Sequence, residues 1–116
     1  CLSAFCGATN AGIGAACGIA WLDGGDYEVI AHTIVNGLAI LSGMVCDGAK
    51  PSCAAKIATA VRNGLLGYQM YRQGCQFYGD GIVTKGVENT IANVGRLANR
   101  GMRSTDCEIL NIMIGN

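Results

Sequence analysis

Apolar residues recur every three or four positions through most of this chain, which is the spacing of one face of an α-helix. Three separate stretches show it: Ile30, Ile34, Leu38, Leu41 and Val45; Ala54, Ile57, Ala58, Val61 and Leu65; and Val87, Ile91, Val94 and Leu97. There is no strong alternation of apolar and polar residues, the pattern typical of strands, and only 29–30 and 82–83 could begin short strands. The pattern therefore predicts an all-α fold.

Capping residues and glycines divide the chain into about five helices. Asn10, Asp26 and Ser104 have side chains that can accept a hydrogen bond at a helix start, Thr84 can open another helix, and Pro51 suits a first helical position. Glycines at 24–25, 74 and 101 can end helices. The predicted helices span 11–22, 26–45, 51–73, 84–101 and a stretch that follows 104. We expect a single domain over 1–116, a compact bundle with short glycine-rich connections.

Composition limits the partners of this bundle. The chain has eight basic and eight acidic residues, so it offers no basic surface for nucleic acid. Its longest apolar stretch, 29–45, is too short and too often interrupted by polar residues to cross a membrane. Only 14% of the residues are charged, against about 25% in typical domains. This low charge indicates that something else covers part of the surface.

Seven cysteines occur among the 116 residues. An odd number cannot pair completely within one chain, and the segments between them have helical patterns rather than the loops of a small secreted framework. We therefore expect reduced thiols and a cytoplasmic location, with some of the cysteines selected for chemistry.

Three of these cysteines are predicted to meet at one corner of the bundle. Cys6 precedes the first predicted helix, Cys46 ends the second, and Cys53 lies in the first turn of the third. The positive end of that helix favours the thiolate form of Cys53. Three thiolates can hold a metal centre and leave one coordination site open. Spacing alone is not specific, however, because free cysteines are also common as small buried apolar residues.

The amino-acid sequences around these cysteines resemble those of a known family. The segment GMVCDGAKPSC, at 43–53, resembles the core motif of the L-cysteine desulfidase family of bacteria and archaea, which is itself similar to the iron–sulfur L-serine dehydratase α chain. The segment CGA at 6–8, with the Gly/Ala-rich stretch 11–18, resembles the upstream ligand region of that family. The segment GMRSTDCEILNIMI, at 101–114, resembles its carboxyl end. The resemblance covers nearly the whole chain and keeps the three cysteines in order.

The resemblance implies that Cys6, Cys46 and Cys53 ligate a [4Fe–4S] cluster whose fourth iron lacks a protein ligand. It also implies β-elimination of L-cysteine to pyruvate, ammonia and sulfide, or of L-serine in the related dehydratases. Family members are several times longer, so the chain is expected to be a carboxyl-terminal piece. The proposed base and much of the substrate pocket would lie in the missing amino-terminal part, and this piece alone should be inactive. A homodimer is possible.

Two charged residues beside the ligands are candidates for catalysis. Asp47 could cap the third helix or support a cluster ligand, and Lys50 could meet a substrate carboxylate or simply be solvated. The rival functional classes are a non-catalytic helical domain with a structural or redox-sensing iron or zinc site, and a plain helical scaffold with inert thiols.

The remaining polar and aromatic residues are expected to be structural. His32 lies in mid-helix, and Asn36 and Asn93 are expected to join helices by hydrogen bonds. Cys17 should fill the core. Cys1 lies near Cys6 in sequence, and Cys75 and Cys107 are expected to be filler or surface thiols. Four aromatic residues are expected to pack under the missing part: Tyr68, Tyr71, Phe77 and Tyr78.

Overall fold

The computed structural model describes residues 4–79 and 81–115, and Cys1 lies outside them. Its helices are α1 (Ala8–Leu22), α2 (Tyr27–Ile40), α3 (Ser52–Arg72), α4 (Val87–Arg96), a π-helical turn (Leu97–Gly101) and α5 (Arg103–Met113). No strand occurs in the described ranges, so the predicted all-α fold of five helices is confirmed there. None of these helices is long and apolar enough to cross a membrane.

The fold is centred on α3, which packs against both α1 and α2. Small residues make the crossing with α1 very close. A methyl group added to Gly12 would lie 2.3 Å from the carbonyl carbon of Ala60, and one added to Gly64 would lie 2.6 Å from the carbonyl oxygen of Gly12. The backbones of the two helices are therefore in direct contact, which only glycine allows at these positions.

This crossing corrects the predicted apolar stripe of α3. The residues that α3 buries are Ala60, Asn63, Gly64, Gly67 and Tyr68, whereas Ile57, in the predicted stripe, is 57% exposed. Hydrophobicity favoured the face with the larger side chains. The close approach of α1 and α2 instead selects the face that carries Ala60, Gly64 and Gly67, because larger residues at these three positions would hold the backbones apart.

Asn36 connects three parts of the fold by hydrogen bonds. Its bond from α2 to α3 confirms the predicted role of joining helices. Its side chain is fully buried, and its amide donates to the carbonyls of Gly67 at 3.0 Å and Cys75 at 3.2 Å. Its oxygen accepts the N–H of Phe77 at 3.1 Å. One residue of α2 thus holds α3 and the chain that follows α3. Asn93 instead donates to Ile82, in the loop before α4.

We expect Asn36→Ala to lower the free energy of unfolding by about 3 kcal/mol, because it leaves buried carbonyl and N–H groups without partners. The control is Asn89→Ala, since Asn89 makes one exposed bond to the Lys85 carbonyl and should cost about 0.5 kcal/mol. Urea unfolding followed by circular dichroism measures both values. Equal losses in the two variants would show that the Asn36 bonds do not hold these segments together.

Two predicted boundaries around the first two helices are wrong. α1 begins at Ala8, after Gly7, so Asn10 lies inside its first turn and does not cap it. α2 begins as predicted, with the Asp26 carboxylate accepting the Val29 N–H. However, α2 ends at Ile40 rather than at 45, because the chain becomes extended at Leu41. The segment beyond Leu41 pairs with residues before α1 instead of continuing the helix.

The last two helices also start differently from the prediction. α4 begins at Val87 after Gly86, which has φ +91°, and Thr84 instead exchanges hydrogen bonds with the Thr90 hydroxyl. The helical path then continues through the π-helical turn to Gly101, the predicted end. α5 follows Met102, and Ser104 does not cap it.

Candidate functional site

Two short extended segments bring Cys6 and Cys46 together. Phe5 lies opposite Val45 in an antiparallel bridge. The Cys6 N–H donates to the Met44 carbonyl at 2.6 Å, and the Cys46 N–H donates to the Ala4 carbonyl at 2.6 Å. Cys6 therefore lies before α1 as predicted, but Cys46 lies in an extended segment and not at the end of α2.

This pairing determines which way the two thiols face. Successive side chains of extended chains point to opposite faces. Phe5 packs against Gly43, where an added methyl group would meet the Phe5 ring at 2.8 Å, so Phe5 marks one face of the pair. Cys6 and Cys46 follow Phe5 and Val45 directly and are therefore on the other face, as diagonal neighbours.

Cys53, in α3, contacts the loop that joins Cys46 to this helix. It is the second residue of that helix, as predicted. Its sulfur accepts the Lys50 N–H at 3.5 Å and lies 3.7 Å from the Gly48 carbonyl oxygen, to which the thiol can donate. Gly48 has φ +100°, a conformation that suits glycine and turns the chain between Cys46 and α3.

Lys56 fixes the Cys46 segment to α3. Its ammonium donates to the Val45 carbonyl at 2.8 Å and lies 3.4 Å from the Asp47 carboxylate. Lys56 follows Cys53 by three residues, so the two share a face of α3. Sequence reasoning missed this residue, although a lysine one turn beyond a candidate ligand was a usable signal.

Asp47 and Lys50, the two catalytic candidates, bind each other. The Lys50 ammonium donates to one Asp47 oxygen, and Lys56 approaches the other. These contacts, the hydrogen bond from Lys50 foremost, lower the pKa of the Asp47 carboxyl. An ionised carboxylate held between two ammonium groups is a poor proton acceptor. Asp47 therefore serves better to order the loop than to act as a base.

The donor set fits an iron–sulfur cluster in chemistry but is not gathered around one point. Cys6, Cys46 and Cys53 are free, half-buried thiols, and thiolates are the usual ligands of such clusters. Within 4–79 and 81–115, no group of three or more His, Cys, Asp or Glu side chains is arranged to hold a metal ion. The backbone places Cys6 beside Cys46, and Cys53 lies against Gly48 in the loop that follows Cys46.

Other residues singled out from the sequence have structural contacts. His32 stacks on Tyr71 with ring centroids 4.4 Å apart and lies 3.6 Å from the Glu28 carboxylate. Cys17 packs against the core, and burial raises the pKa of its thiol. Tyr68 is buried and donates to Asp23 at 3.0 Å, so the expectation that it packs under a missing part is wrong. Cys75 and Cys107 are exposed.

The Lys56 contacts predict a change in thiol reactivity. Lys56→Met removes a charge-assisted hydrogen bond to the Cys46 segment, so alkylation of Cys46 in metal-free protein should become about tenfold faster. Lys85→Met, a change far along the chain, should leave that rate unchanged. Mass spectrometry of alkylated peptides measures Cys46 and Cys75 in the same sample. A rate at Cys46 that is the same in both variants would exclude this role of Lys56.

Comparison with known proteins gives a family match. The family model described as serine dehydratase alpha chain matches residues 1–111. Similar curated proteins include UPF0597 proteins of Desulfitobacterium hafniense, Finegoldia magna and Treponema denticola, which are 66%, 49% and 47% identical over 114 residues. The matches cover 97% of this chain and 26–27% of those relatives. The chain thus spans about a quarter of their length. No solved structure matches.

Proposed function

Because the chain belongs to the serine dehydratase alpha chain family, we propose that it is the cluster-binding part of an iron–sulfur lyase acting on L-cysteine. The observation that carries the proposal is the pairing of 4–6 with 44–46, which holds Cys6 and Cys46 on one face. The L-cysteine preference rests on the resemblance of the segment 43–53 to the core motif of the L-cysteine desulfidase family.

Cys6, Cys46 and Cys53 would hold a [4Fe–4S] cluster. When bound, such a cluster would supply an iron without a protein ligand, a Lewis acid for the leaving group or carboxylate of the substrate. Lys56 keeps the Cys46 segment against α3, and the Gly48 turn sets the distance from Cys46 to Cys53. Each of these chain elements positions a ligand rather than touching the substrate.

The overall reaction removes the α-proton of L-cysteine and releases sulfide. The remaining enamine tautomerises to an imine, and water hydrolyses it to pyruvate and ammonia. Lys50 is the candidate partner for the substrate carboxylate, and it would exchange Asp47 for the substrate. Since Asp47 is held between two lysines, we assign the base to the rest of a longer protein. We place that protein in the cytoplasm, where thiols are kept reduced.

L-serine is the second candidate substrate, and the family description favours it. Loss of the β-hydroxyl as water would give the same enamine, and hence pyruvate and ammonia without sulfide. The site residues would keep the same roles.

Assay of the full-length protein, reconstituted anaerobically with iron and sulfide and then desalted, separates these cases. We expect sulfide and pyruvate in equal amounts from L-cysteine, and the Cys75→Ser variant should match the wild type. Pyruvate from L-serine alone would establish the second candidate. A fully loaded protein that forms pyruvate from neither amino acid would overturn the lyase proposal.

A further inference from the structure

A long apolar groove crosses the surface of the bundle above α2. Its volume is about 480 Å³, and it runs between α1 and α4, which both lie against α2. Ile30, Ile34 and Leu38 of α2 line it. Cys6 and Gly43 line the end beside the paired segments. The groove therefore begins at a proposed cluster ligand and continues away from it along α2.

At two glycines in the walls of the groove, no contact within the described chain requires the absence of a side chain. Gly14 in α1 and Gly95 in α4 are exposed, and a methyl group added to either would meet nothing within 4 Å. Glycine inside a helix costs about 1 kcal/mol relative to alanine. At Gly12 and Gly64 a second helix backbone explains the glycine. Gly18 of α1 is open in the same way outside the groove, so Gly14 and Gly95 support a close neighbour only together with the groove that they line.

Thr9 gives independent evidence that a partner is missing. Thr9 is among the residues that line the groove and is 1% exposed, and within the described residues its hydroxyl oxygen has no hydrogen-bond partner. A buried hydroxyl without a partner costs about 1–3 kcal/mol. A group that enters the groove could supply that hydrogen bond.

The mostly apolar lining suits an apolar protein segment better than a free amino acid. No charged side chain is among the residues that line the groove, whereas an amino acid carries a carboxylate and an ammonium group that need partners. The relatives are about four times as long as this chain, which covers 26% of the first of them. A long remaining sequence is thus available to cover the groove.

We propose that this groove is the docking site for an α-helix from the remainder of the longer protein. The helix presents an apolar face with small residues where it crosses Gly14 and Gly95, and one polar group opposite Thr9. Two helices that meet at glycines can approach until their backbones touch, as α1 and α3 do at Gly12. The docked helix also closes the end of the groove at Cys6. This docking goes beyond the proposed reaction and does not depend on it.

Cysteine substitutions in the full-length protein test the docking. Gly14→Cys and Gly18→Cys are one turn apart on α1, and both positions are exposed with nothing within 4 Å of an added methyl group. Only Gly14 lines the groove. We expect maleimide to label Gly14→Cys, and likewise Gly95→Cys, about tenfold or more slower than Gly18→Cys. Peptide mass spectrometry reads each site separately from the native cysteines.

Other occupants give different results. Equal labelling at 14, 18 and 95 would show an open groove and overturn the proposal. Slow labelling at 14 that becomes fast on dilution would indicate a second copy of the chain and would overturn it as well. A second pair of variants tests the same point. Gly14→Leu places a large side chain in the groove, whereas Gly18→Leu leaves the groove open. We expect only Gly14→Leu to lower the melting temperature of the full-length protein, and equal melting temperatures would contradict the docking.

Discussion

Replacing Gly12 by alanine is expected to lower the free energy of unfolding by about 3 kcal/mol, since the new methyl group must displace a neighbouring helix backbone. That group would lie 2.3 Å from the Ala60 carbonyl carbon and 2.4 Å from its oxygen. A flexible side chain could move aside, but a helix backbone can move only together with α3. The loss should therefore be near the upper end of what overpacked cores show.

Gly18→Ala is the matched control for that prediction. It lies in the same helix, and an added methyl group there meets nothing within 4 Å. It should raise the free energy of unfolding by about 0.5–1 kcal/mol, because alanine favours the helix. Urea unfolding of the two variants gives both numbers. If Gly12→Ala were as stable as Gly18→Ala, the close crossing of α1 and α3 would be wrong.

The second large effect concerns catalysis by the full-length protein. Replacing Cys6, Cys46 or Cys53 by serine should reduce pyruvate formation by at least about a hundredfold, since even supporting residues around a metal change activity tenfold to a hundredfold. Cys75→Ser and Cys107→Ser should keep the wild-type rate, because both residues are exposed and lie outside the site. Initial rates with L-cysteine and L-serine measure the effect.

The pattern of losses distinguishes a shared site from independent roles. Three ligands of one cluster should give three similar losses, and the double variant Cys6→Ser/Cys53→Ser should be no worse than either single one. Full activity in any of the three single variants would remove that cysteine from the site.

The parts of the fold that sequence could predict are those with local signals. Asp26 caps α2, and Gly24 and Gly74, with φ +88° and +81°, follow the ends of α1 and α3. Each depends on one or two adjacent residues. The end of α2 depends instead on the pairing of 44–46 with 4–6, forty positions away, and periodicity along the chain carries no information about it.

The buried face of α3 shows a second limit of pattern analysis. A hydrophobic stripe predicts burial under the assumption that a larger apolar side chain is a better core residue. At Gly64 and Ala60 the controlling quantity is the distance between helix backbones, and the smallest residues allow the closest packing. The large residue Ile57 is left outside, exposed to 57%.

For the candidate site, the sequence predicted which thiols would be donors but not the contacts that hold their segments in place. The motif at 43–53 and the cysteine at 6 identify three thiols by residue type and order. The antiparallel bridge and the contact of Lys56 with the Val45 carbonyl arise only when distant segments meet. Asp47 was a catalytic candidate from its position, yet its two lysine contacts favour a role in ordering the loop.

The iron and acid-labile sulfide content of the full-length protein tests the central claim, that these three cysteines hold a cluster, most directly. After anaerobic reconstitution and gel filtration, the wild type and the Cys75→Ser/Cys107→Ser variant should each carry about four irons and four sulfides per chain, with a brown colour. The triple variant Cys6→Ser/Cys46→Ser/Cys53→Ser should carry neither. The same iron and sulfide content in all three proteins would contradict the claim.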